Sequence, residues 1–121
     1  MDKLSHYRKL VQQLMLKYAA YKPAHGNIEV ETIFDTVHDH YQLVNVGWEN
    51  DTRIHGCPMH IDIKDNQVWI QHNGTEVDIG EELVEMGVAR NDIILGFQPS
   101  YMRPFTNLSP TLFAAATNAS N

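Results

Sequence analysis

The sequence lacks most of the patterns that identify an enzyme or a secreted protein. Cys57 is the single cysteine among 121 residues, so no disulfide can form within the chain. There is no glycine-rich phosphate loop and no nucleophile elbow. No apolar run approaches the length of a membrane span, and the first residues contain no continuous apolar segment of the kind found in secretory signals. We therefore expect a cytoplasmic protein.

Basic residues are also scarce. The chain has 9 Lys and Arg against 15 Asp and Glu, which gives a net charge of −6. Binding to phosphates needs clustered Lys and Arg, so free DNA is not expected as the main partner. Residues 1–22 hold five of the basic residues and one acidic residue. These cations scatter around a predicted helix, which favours a helix docked on an acidic body over one that reads a DNA groove.

The apolar pattern predicts one α+β domain, a reasonable size for 121 residues. Apolar residues from Leu4 to Tyr21 repeat at helical spacing, with Asp2 as a cap and Pro23 and Gly26 at the end. Strands are predicted over residues 28–37, 41–48, 53–64 and 67–72, a short second helix near 78–87, and a fifth strand or a buried connector over 92–97.

The predicted fold is α+β, with the N-terminal helix packed on an antiparallel sheet of four or five strands. Residues 1–107 would form the domain, and the small, polar residues 108–121 would form a tail that frays. Pro58, within the third strand, indicates an edge position or a bulge.

Asp65 and Asn66 predict a two-residue hairpin turn, because both tolerate positive φ. The register that follows pairs Met59 with His72. It places apolar residues on one face and mostly polar ones on the other: Ile61, Ile63, Val68 and Ile70 on the first, and His60, Asp62, Trp69 and Gln71 on the second. Such a clean division supports the hairpin.

Seven histidines raise the question of a metal site. On extended strands His38 and His40 share a face, whereas His55 and His60 point in opposite directions, as do His60 and His72 in the hairpin register. A tetrahedral site needs convergent ligands, so we expect no metal and no cofactor.

Cys57 and His55 share a strand face, and such a pair can be nucleophilic when the thiolate is stabilised. No orienting third group accompanies them, and a lone cysteine in an apolar strand is usually a small buried hydrophobe. We assign no catalytic residue.

Trp69 is the best candidate for a partner surface, together with His60, Gln71 and Asp62. Tryptophan contributes a large share of binding energy when a partner buries it. One aromatic ring among polar groups is typical of an interface core with its rim. The sequence leaves open whether the first helix covers this face or the isoleucine face.

Several blocks share their residues and order with one known family. They are YQLV at 41–44, GW at 47–48, RIHGC at 53–57, HIDI at 60–63, WIQHNGT at 69–75, DIIL at 92–95 and RPFT at 103–106. With the N-terminal helix, they resemble the XisI family, the fdxN-element excision controlling factors known mainly from cyanobacteria. The resemblance extends to about Thr106. The chain departs from the family at Gln98, where His is frequent, and after Thr106.

The resemblance implies a non-enzymatic accessory protein that acts with an XisH-like partner in programmed site-specific DNA excision, while a separate recombinase exchanges the strands. It brings no catalytic residues. Three alternatives stay open: an antitoxin-like inhibitor of a nuclease-like partner, a small enzyme that uses the histidines and Cys57, and direct DNA binding by the basic helix. Homo-oligomer formation is also open.

Overall fold

A computed structural model of the chain describes residues 2–21 and 26–102. Its elements are α1 (Lys3–Ala19), β1 (Asn27–Asp35), β2 (His40–Glu49), β3 (Thr52–Lys64), β4 (Gln67–Asn73), α2 (Ile79–Met86) and β5 (Ile93–Leu95). Within those residues, no helix has the length and apolarity needed to cross a membrane. The predictions for Pro23 and for the tail at 108–121 fall outside the described residues.

Helix α1 forms where the apolar spacing predicts it. The Asp2 side chain accepts a hydrogen bond from the Ser5 backbone N–H at 2.7 Å, which satisfies one free donor of the first turn. The side chains that α1 buries are Tyr7, Leu10, Val11, Leu14 and Met15. Leu16 lies on the opposite side and is 55% exposed. The predicted helix and its cap are confirmed. The buried stripe is confirmed from Tyr7 to Met15, whereas Tyr21 lies beyond the end of the helix and is 59% exposed.

The sheet has five strands in sequence order, β1-β2-β3-β4-β5. The first four run antiparallel, as predicted, whereas β5 pairs with β4 in parallel, with Val68 opposite Ile93. The sheet is therefore mixed, because the segment containing α2 returns the chain before β5 begins. The run predicted over 92–97 as a strand or a connector is a strand of three residues.

Both helices pack on one face of the sheet. The core joins the α1 stripe and Leu83 of α2 to Ile61, Ile63, Val68 and Ile70. Leu14 and Ile61 are 0% exposed. The isoleucine face is thus the covered one, which the sequence had left open.

The β3–β4 hairpin turns as the sequence predicts. Asp65 and Asn66 have φ values of 54° and 63°, the left-handed conformation that both central positions of such a turn require. The pairs next to the turn are the predicted ones: Lys64 with Gln67, Ile63 with Val68, and Ile61 with Ile70.

Beyond those pairs the register shifts, and one prediction is wrong. His60 lies opposite His72, and Met59 lies opposite Asn73 instead of His72. Gln71 is the extra residue, so it forms a β-bulge in β4. The predicted hairpin register therefore fails at its far end, where His60 and His72 become partners.

A second bulge lies in β3. The register of β2 against β3 shifts between Leu43 and Asn45, so that Cys57 and Pro58 together face the single residue Val44. A bulge accommodates proline because the missing N–H leaves no ladder hydrogen bond broken. This agrees with the bulge predicted at Pro58.

Candidate functional site

The second face of the sheet carries polar side chains and lies opposite both helices. We call it the open face; strand alternation assigns to it Glu29, Glu31, Ile33, His40, Gln42, Val44, His60, Asp62, Lys64, Trp69 and Gln71. The four residues predicted as a partner surface, Trp69, His60, Gln71 and Asp62, are all on it and all half-buried.

Asp62 is the centre of this face. Its Oδ1 lies 2.9 Å from His40 Nδ1 and 2.8 Å from His60 Nε2. Its Oδ2 accepts a hydrogen bond from Gln71 Nε2 at 3.1 Å. The strands explain the convergence, because His40 is the direct partner of Asp62 across β2 and β3. His60 precedes Asp62 by two residues on β3 and so points the same way.

The pKa values of Asp62 and His40 move in opposite directions. Burial raises the pKa of Asp62, but hydrogen bonds from His40, His60 and Gln71 lower it by a larger amount. The net pKa of Asp62 is therefore below its usual range. The hydrogen bond to Asp62 raises the pKa of His40. Asp62 therefore stays ionised at neutral pH, and His40 keeps its proton to a higher pH than a free histidine.

The structure corrects the interpretation of the histidines. The donor atoms of His40, His60 and Asp62 all lie within 4.8 Å of one another. The reason given for expecting no metal, that the histidines do not converge, is therefore wrong. His38 does not share the strand face of His40, because it lies in the turn before β2, 2.8 Å from Asp35 Oδ2.

Trp69 lies beside the Asp62 cluster. It is the direct partner of Asp62 across β3 and β4. The ammonium of Lys64 lies 4.0 Å from the centroid of the Trp69 ring, a close cation–π contact. The open face therefore combines a large aromatic ring with charged and amide groups.

Cys57 has the contacts of a structural cysteine. Its thiol donates to the carbonyl of Met59 at 3.3 Å, and the residue is half-buried. His55 is exposed on the same strand. This contact pairs the thiol with a backbone carbonyl, which is not a base that could activate it.

Arg8 and Lys17 of α1 are bound to acidic residues of the body. Arg8 donates two hydrogen bonds to Asp39, at 2.8 and 3.0 Å. Lys17 Nζ lies 2.8 Å from Glu82 Oε1. These ion pairs favour the predicted docking of a basic helix on an acidic body over a DNA-reading helix.

Comparisons with known proteins agree with this architecture. Residues 1–109 match the family described as XisI protein. The crystal structure of an XisI-like protein from Anabaena variabilis ATCC 29413 is 45% identical, with 86% of this chain and 95% of that chain covered and a TM-score of 0.80. The fdxN element excision controlling factor XisI from the same organism is 29% identical, with 87% and 96% covered and a TM-score of 0.74. The comparison with curated proteins found no match. Because the family match spans most of its length, the chain belongs to the XisI family.

Proposed function

We propose that this chain is a non-enzymatic controlling factor in site-specific excision of an fdxN-type DNA element, and that it acts by binding a protein partner on the open face. A related structure is named as the fdxN element excision controlling factor XisI. The observation that carries the proposal is the position of Trp69 and the Asp62 cluster, side by side on the sheet face opposite both helices. An aromatic centre with a polar rim is the usual anatomy of a protein interface.

The proposed partner is an XisH-like protein, as the family resemblance implies. The chain has a net charge of −6, which complements a partner that carries a basic surface for DNA. Glu29 and Glu31 are exposed on β1, the outer strand of the sheet. They place negative charge along one border of the open face, where Ile33 is 49% exposed.

Binding of the Trp69→Ala variant to an XisH-like protein tests this proposal. The variant should keep its far-UV circular dichroism spectrum and lose affinity by about 30-fold, the equivalent of a hot-spot residue that contributes about 2 kcal/mol. Leu16→Ala is the matched control, because Leu16 is an exposed apolar residue on the opposite side of the molecule. Intact binding by folded Trp69→Ala would contradict the proposed surface.

A second candidate function is inhibition of a nuclease-like partner, favoured by the acidic border at Glu29 and Glu31. Negative charge there would cover a basic nucleic-acid site and block it. A nuclease assay of the partner, titrated with this chain, separates the two functions. Stoichiometric inhibition that Trp69→Ala abolishes supports it, whereas complex formation without any effect on cleavage removes it.

A further inference from the structure

The cluster of His40, His60 and Asp62 has the donor set of a transition-metal site. Two imidazole nitrogens and one carboxylate oxygen lie within 4.8 Å of one another on the open face. Imidazole ligands suit Zn²⁺ and neighbouring metals, whereas Mg²⁺ and Ca²⁺ prefer sites built of oxygen alone. We propose that these three residues bind one Zn²⁺-class divalent ion and leave a coordination position open to water. This inference is independent of the proposed function, because metal binding is a property of the chain alone.

Two of the three donor–donor distances are close to those that such an ion needs. His40 Nδ1 and His60 Nε2 lie 2.9 and 2.8 Å from Asp62 Oδ1. Around tetrahedral Zn²⁺, with bonds of about 2.0–2.2 Å, neighbouring donor atoms are about 3.4 Å apart. Each contact therefore has to lengthen by about half an ångström. His40 is exposed, so its ring has room to make that adjustment.

Two glutamines orient the ligands from outside. Gln71 Nε2 donates to Asp62 Oδ2 at 3.1 Å, which leaves Oδ1 directed at the two imidazoles. Gln42 Nε2 lies 3.5 Å from His60 Nδ1, the ring nitrogen that points away from Asp62. An amide nitrogen donates, so with the amide in this orientation Nδ1 accepts and Nε2 carries the proton that faces Asp62. A metal at Nε2 would move the ring proton to Nδ1, where rotation of the amide by half a turn presents its oxygen as the acceptor. Metal-binding histidines and carboxylates are typically held by partners of this kind.

The fold holds Gln71 close to Asp62. Strand alternation from Trp69 places Gln71 on the open face, and Gln71 lies at the bulge in β4. A Cβ on Gly96 would collide with Gln71 Oε1. The Gly96 N–H donates to the Ile70 carbonyl at 2.8 Å, which fixes the backbone at this close approach. Side chains from three strands thus converge on one carboxylate.

Zinc titration by calorimetry tests the proposal, on chain freed of metal with a chelator and carrying no affinity tag. We expect one equivalent of Zn²⁺ to bind. His40→Gln and His60→Gln should each weaken Zn²⁺ binding by more than about 100-fold, because loss of an outer partner alone costs about 10–100-fold. Gln71→Ala should fall within that smaller range. Co²⁺ should occupy the same site, and its visible spectrum reports the coordination number.

The matched control is His55→Gln, an exposed histidine on the same strand as His60 but outside the cluster. Its affinity for Zn²⁺ should equal that of the original chain. Circular dichroism verifies that each variant is folded, and replacement of the exposed His40 is the variant that disturbs packing least. Equal Zn²⁺ affinity in folded His40→Gln and the original chain would overturn the proposal. Absence of Zn²⁺ binding at millimolar concentration would also overturn the proposal. The cluster would then be a hydrogen-bonded network without a metal.

Discussion

Asp39 illustrates how single residues connect α1 to the sheet. It lies just before β2 with a φ of 62°, and it is 8% exposed. It accepts two hydrogen bonds from Arg8 and one from the Tyr41 hydroxyl at 2.8 Å. Burial raises the pKa of Asp39, but the hydrogen bonds from Arg8 and Tyr41 lower it by a larger amount. The net pKa of Asp39 is therefore below its usual value of 3.8. The buried charge is thus compensated by its partners.

We predict that Asp39→Asn lowers the free energy of unfolding at pH 7 by about 1–3 kcal/mol, because Arg8 loses its charged partner. Asparagine tolerates positive φ, so the turn itself should be kept. A carboxyl with a depressed folded-state pKa contributes stability above its unfolded pKa and loses it as pH falls through the folded value. The difference between the two proteins should therefore shrink below about pH 4.

Urea unfolding of both proteins at pH 7 and at pH 3 measures this effect. Asp51→Asn, in the exposed turn between β2 and β3, is the control and should change stability little at either pH. An equally large difference between Asp39→Asn and the original chain at both pH values would show that the Asp39 charge is not the cause.

At the scale of the elements, stability depends on α1 lying across the isoleucine face. Leu14 is 0% exposed within that contact. Leu14→Asp places an unpaired charge in the core, which we expect to cost more than about 4 kcal/mol, a large part of the stability of a small domain. The thermal unfolding transition should be lost. The control is Leu16→Asp, on the exposed side of the same helix, whose melting temperature should be close to that of the original chain. An unchanged melting curve for Leu14→Asp would contradict the helix-on-sheet contact.

The elements themselves were predictable because their signals are local. The stripe of α1, the turn at Asp65 and Asn66, and the Asp78 cap of α2 each act over a few residues. The parallel pairing of β5 was not predictable, because it depends on where α2 returns the chain. No short-range pattern encodes that path.

The sequence predicted His60, Asp62 and Gln71 on one face, but it did not predict that His40 joins them, and the reason is the register of β2 against β3. Glu49 lies opposite Thr52 at the turn between β2 and β3. An uninterrupted count from that pair places His40 opposite Ile61, away from His60. The extra residue of the bulge at Cys57 and Pro58 moves His40 to face Asp62. Since a slip of one residue exchanges the two faces of a strand, the cluster follows from the bulge. Pro58 indicated that bulge, but not its consequence for His40.

The two faces of the sheet differ over the whole molecule. The covered face holds the apolar core and both helices. The open face holds Trp69 and the Asp62 cluster, in which His40 and Gln71 contact Asp62 across strands. Substitutions on the open face should therefore change binding more than folding. The family match extends over both faces, since it covers residues 1–109.

The charge of the whole molecule leads to a last prediction, that this chain alone does not bind bare duplex DNA tightly. The net charge is −6, and Arg8 and Lys17 of α1 are already paired with Asp39 and Glu82. Because these two cations are held by carboxylates, they are not free to displace counterions from phosphates. Fluorescence anisotropy in about 0.15 M salt should therefore show no complex at nanomolar or low micromolar protein.

A double variant, Glu29→Lys with Glu31→Lys, provides the matched comparison, since it raises the net charge from −6 to −2 and places the new cations side by side on β1. It should gain weak DNA binding that disappears as salt increases, the signature of phosphate contacts. A nanomolar, sequence-specific complex formed by the unmodified chain alone would refute the prediction and would favour direct DNA recognition. Tight DNA binding that requires the XisH-like partner would instead agree with a chain that controls excision through that protein.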